Sequence, residues 1–148
     1  SGTLTKDTGT SAATPVGVFL GCTYTNPSTN QKINAQYFPA GTVAPDIQAY
    51  VCDDNLVLMQ VAVASSGTTI GGVTRAAVGM NTALVQNPGS TTTGDSAVAV
   101  SATVATNAAL PIRIIDVVPE TVNAAGSYTE VIVKWNFGMH QYDNATGV

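Results

Sequence analysis

Ser127-Tyr-Thr-Glu-Val-Ile-Val-Lys-Trp-Asn-Phe137 is the stretch that decides the fold. Thr129, Val131, Val133, Trp135 and Phe137 share one face, while Tyr128, Glu130, Ile132, Lys134 and Asn136 share the other. Strand side chains alternate faces with period two, so this pattern predicts a half-buried β-strand anchored by the only Trp. A short polar tail follows, Gly138-Met-His-Gln-Tyr-Asp-Asn-Ala-Thr-Gly-Val148, and it holds the single His.

The rest of the composition agrees with a β fold. Charged residues make up 9% of the 148, well below the usual quarter, and hydrophobic residues 45%. Thr and Val suit pleated surfaces, Gly and Asn suit turns, and the strong helix formers Glu, Lys and Leu are scarce. A mean hydropathy of +0.21 with a net charge of −4 is not the signature of disorder. The five basic residues, Lys6, Lys32, Arg75, Arg113 and Lys134, are spread along the chain and form no patch. Nucleic acid is therefore not expected as a partner. No apolar run reaches the ~18 residues of a membrane helix, so no membrane partner is expected either. A surface this poor in charge tolerates packing against neighbours, which points to assembly.

Residues 1–14, rich in Thr, Ser and Gly with Leu4 as their one large apolar side chain, read as an N-terminal arm or loop. Residues 15–148 read as a single β-domain. Val16–Thr25 is strongly β, and its glycines predict a bulge or a close backbone approach. Asn26-Pro-Ser-Thr-Asn30 is turn chemistry, and Lys32–Phe38 completes a hairpin. Asp46–Cys52 and Leu56–Ala64, broken by Asp53-Asp-Asn55, predict a second hairpin or a bent strand pair. Val73–Val85 is ambiguous between a helical turn or two and two short strands.

Asn87–Gly94 reads as a long flexible loop with no large side chain to pin it. Ser96–Thr106 alternates weakly on Ala and Val. Leu110–Val118 is a firm strand, with Leu110, Ile112 and Ile114 facing one way and Pro111 suggesting an edge or a bulge. Short strands joined by turns predict an all-β fold, an antiparallel β-barrel or β-sandwich with an extended N-terminal arm and long loops.

Catalysis finds little support. His140 has no Gly-x-Ser-x-Gly elbow to serve. One His and two separated Cys supply no ligand pair at zinc spacing. Asp53, Asp54 and Asn55 are a conceivable oxygen cluster for Ca²⁺, but consecutive acids between strands are more often a solvated turn, and no EF-hand pattern surrounds them. The glycines form no phosphate loop. No catalytic, cofactor or metal residue is expected, and the chain is not expected to be an enzyme. Cys22 and Cys52 read equally as a disulfide or as two buried thiols. Asn144-Ala-Thr146 matches a glycosylation sequon, a pattern common by chance. Apolar and aromatic residues at strand ends and in the terminal segments are candidate contact residues: Leu4, Tyr37, Phe38, Met139, His140 and Tyr142.

Several segments, in order, carry a resemblance. Gly17-Val-Phe-Leu-Gly-Cys-Thr-Tyr-Thr25 leads to Ala35-Gln-Tyr-Phe-Pro39; then come Gly89-Ser-Thr-Thr-Thr-Gly-Asp-Ser-Ala-Val98 and Thr106-Asn-Ala-Ala-Leu-Pro-Ile-Arg-Ile114; His140-Gln-Tyr142 and Thr146-Gly147 close the set. From about Pro15 onward the chain resembles the head decoration, or capsid cement, proteins of tailed bacteriophages, particularly marine ones. The resemblance implies a non-enzymatic β protein on the outer surface of the virion capsid. Its partners would be the major capsid protein and other copies of itself, as a dimer or trimer. It also implies residues upstream of Ser1. The alternative is an extracellular adhesin, pilin-like or tail-associated β-sandwich binding module, which a Cys22–Cys52 bond would favour.

Overall fold

The computed structural model describes residues 3–6, 14–66, 69–122 and 128–146. Among them the strands are β1 (Val18–Thr25), β2 (Lys32–Ala35), β3 (Gln48–Cys52), β4 (Met59–Ser66), β5 (Thr69–Ile70), β6 (Asn81–Val85), β7 (Ala99–Ala105), β8 (Ile112–Val117) and β9 (Glu130–Trp135). Short 3₁₀ turns lie at Arg75–Ala77, Pro119–Thr121 and Gln141–Asp143. The fold is all-β, as the composition predicts.

The strands divide between two sheets. β4, β7, β6, β8 and β9 follow one another by hydrogen-bonded pairing, and β9 returns to β4, so these five close into a barrel. β5 extends it as a short flap on β4. Closure leaves these strands no open edge, the usual β-protein solution to edge-to-edge aggregation. β2, β1 and β3 form a separate antiparallel sheet, in that order. The barrel is antiparallel with one exception. β4 pairs with β9 over Met59–Ala62 and then runs parallel to β7 at Val63 and Ala64. A parallel pair needs a long crossover, and the chain from β5 through β6 to the loop before β7 supplies it.

The core is built from small, mostly β-branched side chains: Val63, Val73, Val100, Ile112, Ile114, Val117, Val131 and Val133, capped by Trp135. Each buried side chain of this size is worth about 1.5–3 kcal/mol. The alternation in the last strand is as read: Thr129, Val131, Val133 and Trp135 are buried, while Glu130, Ile132 and Lys134 are not. Phe137 departs from it and is 87% exposed. The reason lies one residue earlier. Asn136 is itself buried, its backbone N–H bonds the Pro111 carbonyl at 2.8 Å, and the Met139 N–H bonds the Asn136 carbonyl. The strand therefore ends in a turn that tips Phe137 outward.

Asn136 is the centre of a polar cluster at one end of the barrel. Its side-chain amide donates to the carbonyls of Ala108 and Leu110 at 3.0 and 2.9 Å, and its Oδ1 accepts from Arg113 at 3.0 Å. The Arg113 Nε donates to Asn81 Oδ1 at 2.9 Å, and the Asn81 amide donates to the Asn107 carbonyl. The cluster fastens the 107–111 loop to β6, β8 and β9. Asn136→Ala would take the side-chain donor from two carbonyls and leave Arg113 with its bond to Asn81 but without the one to Asn136. We expect a loss of about 2–4 kcal/mol in urea unfolding, where each orphaned buried group costs about 1–3 kcal/mol.

Other sequence expectations meet corrections. Asp46–Cys52 and Leu56–Ala64 do not form a hairpin with each other: β3 pairs with β1, whereas β4 enters the barrel. The Asp53–Asn55 turn sends the chain from one sheet to the other, with Asp54 Oδ1 accepting from the Leu56 N–H at 2.8 Å. Val73–Val85 combines the two alternatives, with one 3₁₀ turn at Arg75–Ala77 followed by a single short strand, β6. β8 is an inner strand of the barrel rather than an edge, and the other alternative holds: its pairing with β9 is irregular between Ile114 and Asp116, with the buried Pro111 just before the strand.

The first hairpin forms as predicted, but its second strand ends at Ala35 instead of running to Phe38. The Asn26–Asn30 turn is closed by Asn26 N–H to the Gln31 carbonyl at 2.9 Å, and Asn30 takes φ +54°. The predicted bulge falls between Phe19 and Gly21. Residues 1, 2 and 7–13 of the N-terminal arm lie outside the described residues.

Candidate contact surface

The two sheets are joined through the C-terminal tail and the segment entering β1. His140 is completely buried. Its Nε2 bonds the Val16 carbonyl at 3.0 Å and its Nδ1 accepts from the Tyr142 N–H at 3.3 Å, which together set the tautomer with the proton on Nε2. Its ring lies between Trp135 of the barrel core and Tyr142, at centroid distances of 6.2 and 5.5 Å. The Gln141 N–H bonds the Pro15 carbonyl at 2.9 Å, and Asn55 donates to Asp143 Oδ2 at 2.6 Å.

Gly17 follows immediately, at φ +153°. A Cβ there would overlap the Cys52 carbonyl, so only glycine lets the entry strand pass the end of β3. A second bridge lies elsewhere: Gln36 donates to the Thr93 carbonyl at 3.2 Å, and the Tyr37 ring rests against Gly94.

These contacts reassign the candidate residues. Leu4, Tyr37, Phe38 and Tyr142 are exposed, and Met139 is partly buried. Tyr37 also holds the 87–94 loop, which is closed internally by Ser90 N–H to the Asp95 carbonyl and Gly94 N–H to the Ser90 carbonyl. The loop expected to lack a pin is therefore pinned, by an aromatic side chain from a distant segment. Phe38 stacks edge-on to Tyr24 at 5.7 Å. His140 is corrected: it is completely buried with both ring nitrogens bonded within the chain, so it faces inward rather than towards a neighbouring subunit.

The structure adds residues that alternation left unnoticed. Phe19, Leu20 and Tyr50 on β1 and β3, Val43 and Ile47 before β3, and Leu56 and Leu58 after it are all exposed. Period-two patterning assigns half of a strand to a core. This sheet stands apart from the barrel core, so it presents apolar side chains to the outside. The nearest sequence signal is the density of apolar residues in Val16–Leu20, richer than a half-buried strand requires. Single exposed apolar residues are ordinary; many on one small sheet and its flanks make this region the candidate contact surface.

The chemistry elsewhere is modest. Among the described residues no group of three or more His, Cys, Asp or Glu side chains is placed to hold a metal ion. Two open clefts of about 280 and 270 Å³ are lined mostly by uncharged residues, with Glu130 the single charged side chain among them. No helix of the described residues is long and apolar enough to cross a membrane.

Cys22 and Cys52 are free. Register explains it: Cys22 pairs with Ala49 and Cys52 with Val18, so the two cysteines stand about 10 Å apart along the ladder, beyond disulfide reach. Burial pushes the Cys22 thiol above its ordinary pKa, which keeps it unreactive. Mass spectrometry of alkylated, unreduced protein should find two thiols, with the partly buried Cys52 labelled first. A Cys22–Cys52 bond would contradict the register.

Asp46 fastens the end of β1. Its carboxylate accepts from the Thr25 hydroxyl at 2.6 Å and the Thr25 N–H at 2.9 Å, and these bonds lower its pKa from the ordinary value. A folded-state pKa below the unfolded one gives stability that is present above the ordinary carboxylate range. That stability is lost as pH falls through the folded value. Asp46→Ala should therefore lower the melting temperature near neutral pH, and the difference from the parent should vanish in strong acid. An equal difference at both pH values would contradict this.

No protein-family model, curated protein or solved structure matches the chain.

Proposed function

We propose that this chain is a structural virion protein that binds the outer surface of an icosahedral bacteriophage capsid. There it bridges major capsid subunits and stabilises the mature head, without enzymatic activity. The observation that carries the reading is the exposed apolar surface on the three-stranded sheet, held rigidly outside a closed barrel. A cement protein needs a stiff body and a contact face poor in charge, and this division of labour between two sheets supplies both. The buried, fully bonded His140 supports the non-enzymatic part, since a general base must reach its substrate. Phe137 and Tyr142, exposed on the tail, extend the contact surface.

Each copy needs only modest affinity, because many copies on one closed shell reinforce each other. The adhesin alternative would be favoured by a Cys22–Cys52 bond, and the free cysteines weigh against it. The test is mechanical. Phage heads assembled without the protein should rupture at lower temperature and under milder osmotic shock than complete heads. Heads of unchanged strength would sink the proposal.

A further inference from the structure

We propose that the cleft between the Asn26–Ser28 turn and the Ala40–Val43 loop binds a single pyranose ring, a neutral ligand with neighbouring hydroxyls. The cleft has a volume of about 280 Å³ and opens to solvent. Tyr24 of β1 lines it and is only 6% exposed. Its ring meets Phe38 edge-on, yet its hydroxyl has no hydrogen-bond partner among the described residues. Buried polar groups are normally paired, and one that is not calls for a partner from outside the chain. The Tyr24 oxygen is not sealed from solvent, and the cleft is the opening that Tyr24 lines.

The other polar groups of the lining agree. Asn26 Oδ1 is engaged by the Ser28 N–H at 2.9 Å, which leaves the Asn26 side-chain N–H groups unpaired. The hydroxyls of Ser28 and Thr42 likewise have no partners among the described residues. A hydroxyl both donates and accepts, whereas an amide nitrogen only donates. Three hydroxyls and one amide donor therefore match a ligand whose adjacent groups do both, which is the chemistry of vicinal hydroxyls. No charged side chain lines the cleft. A phosphate or carboxylate would find no cation there, and an ammonium no carboxylate, so a charged ligand would lose water without compensation. Pro27 and Val43 supply apolar surface for the C–H edges of a ring.

Both walls are set before a ligand arrives. The Asn26 N–H bonds the Gln31 carbonyl at 2.9 Å and the Asn30 N–H bonds the Asn26 carbonyl at 2.8 Å. Across the cleft, the Thr42 N–H bonds the Pro39 carbonyl at 3.3 Å. Preorganised groups lower the ordering cost of binding. Ligand sites commonly span roughly 300–1,000 Å³, so this cleft lies at the small end and one ring fills it. The open mouth admits that ring either as a free sugar or as the end of a glycan. This inference is independent of the capsid reading.

Amide NMR titration tests it, with methyl α-mannoside, methyl β-galactoside and N-acetylglucosamine as probes. At least one should give saturable shifts at Asn26, Ser28 and Thr42, with a Kd of about 1 mM. Tyr24→Phe keeps the ring against Phe38 and removes only the oxygen, and Thr42→Val removes the other hydroxyl at similar volume. Neither hydroxyl holds the fold, so both variants should melt with the parent, and each should weaken binding about tenfold. A trisaccharide ending in the same sugar separates the two sources. Tighter binding than the single ring supports a glycan, and equal binding supports a free sugar. Absence of shifts with all the sugars overturns the inference, as do shifts confined to other residues or binding unchanged by Tyr24→Phe. Tighter binding of N-acetylprolinamide at the same amides overturns it in favour of a peptide ligand.

Discussion

His140→Ala should cost about 3–5 kcal/mol of stability, among the largest effects of any single substitution outside the hydrophobic core. Three losses add. The ring fills a completely buried site between Trp135 and Tyr142, so truncation leaves a cavity. The Val16 carbonyl loses its donor, and the Tyr142 N–H loses its acceptor. Hydrogen exchange locates the damage: the amides of Gln141 and Tyr142 should lose protection, while those of β8 and β9 keep it. A variant as stable as the parent would show that the tail does not join the two sheets.

Gly17→Ala should cost about 3 kcal/mol or more, through the backbone rather than a lost contact. Two penalties act together. The added Cβ meets the Cys52 carbonyl, an atom that cannot swing aside without disturbing β3. The dihedral φ of +153° is also one that residues with a Cβ rarely adopt. Gly41 provides the control. Its φ of +79° is likewise positive, but a Cβ there would meet nothing within 4 Å. Gly41→Ala should therefore cost only about 1 kcal/mol. Equal losses for the two variants in urea unfolding would show that strain, and not the close approach, sets the requirement at Gly17.

The legible part of this fold was the part governed by local rules. Alternation in Ser127–Phe137 identified β9 and its inward Val131, Val133 and Trp135, and turn residues located the Asn26–Asn30 hairpin. Glycine density pointed to the bulge and close approach that Gly21 and Gly17 provide. What stayed hidden depends on partners distant in the chain. Asp46–Cys52 and Leu56–Ala64 look like neighbours because sequence adjacency favours pairing, yet the Asp53–Asn55 turn divides them between sheets. The parallel pairing of Val63 with Val100 leaves no local mark. The 87–94 loop looked free because its anchor, Tyr37, lies some fifty residues earlier. For the contact surface, Leu4, Tyr37, Phe38 and Tyr142 were found as exposed aromatic or apolar residues. His140 was misjudged because a lone polar ring near a terminus reads as exposed, and Phe137 because alternation continued on paper past the turn that Asn136 begins.

The proposed function depends on recognition of one capsid state, and one binding measurement tests that. Purified protein, added at increasing concentration to expanded heads lacking it and to unexpanded procapsids of the same phage, should co-sediment saturably with the expanded heads and only marginally with the procapsids. Absence of binding to expanded heads, or equal binding to both, would contradict the account.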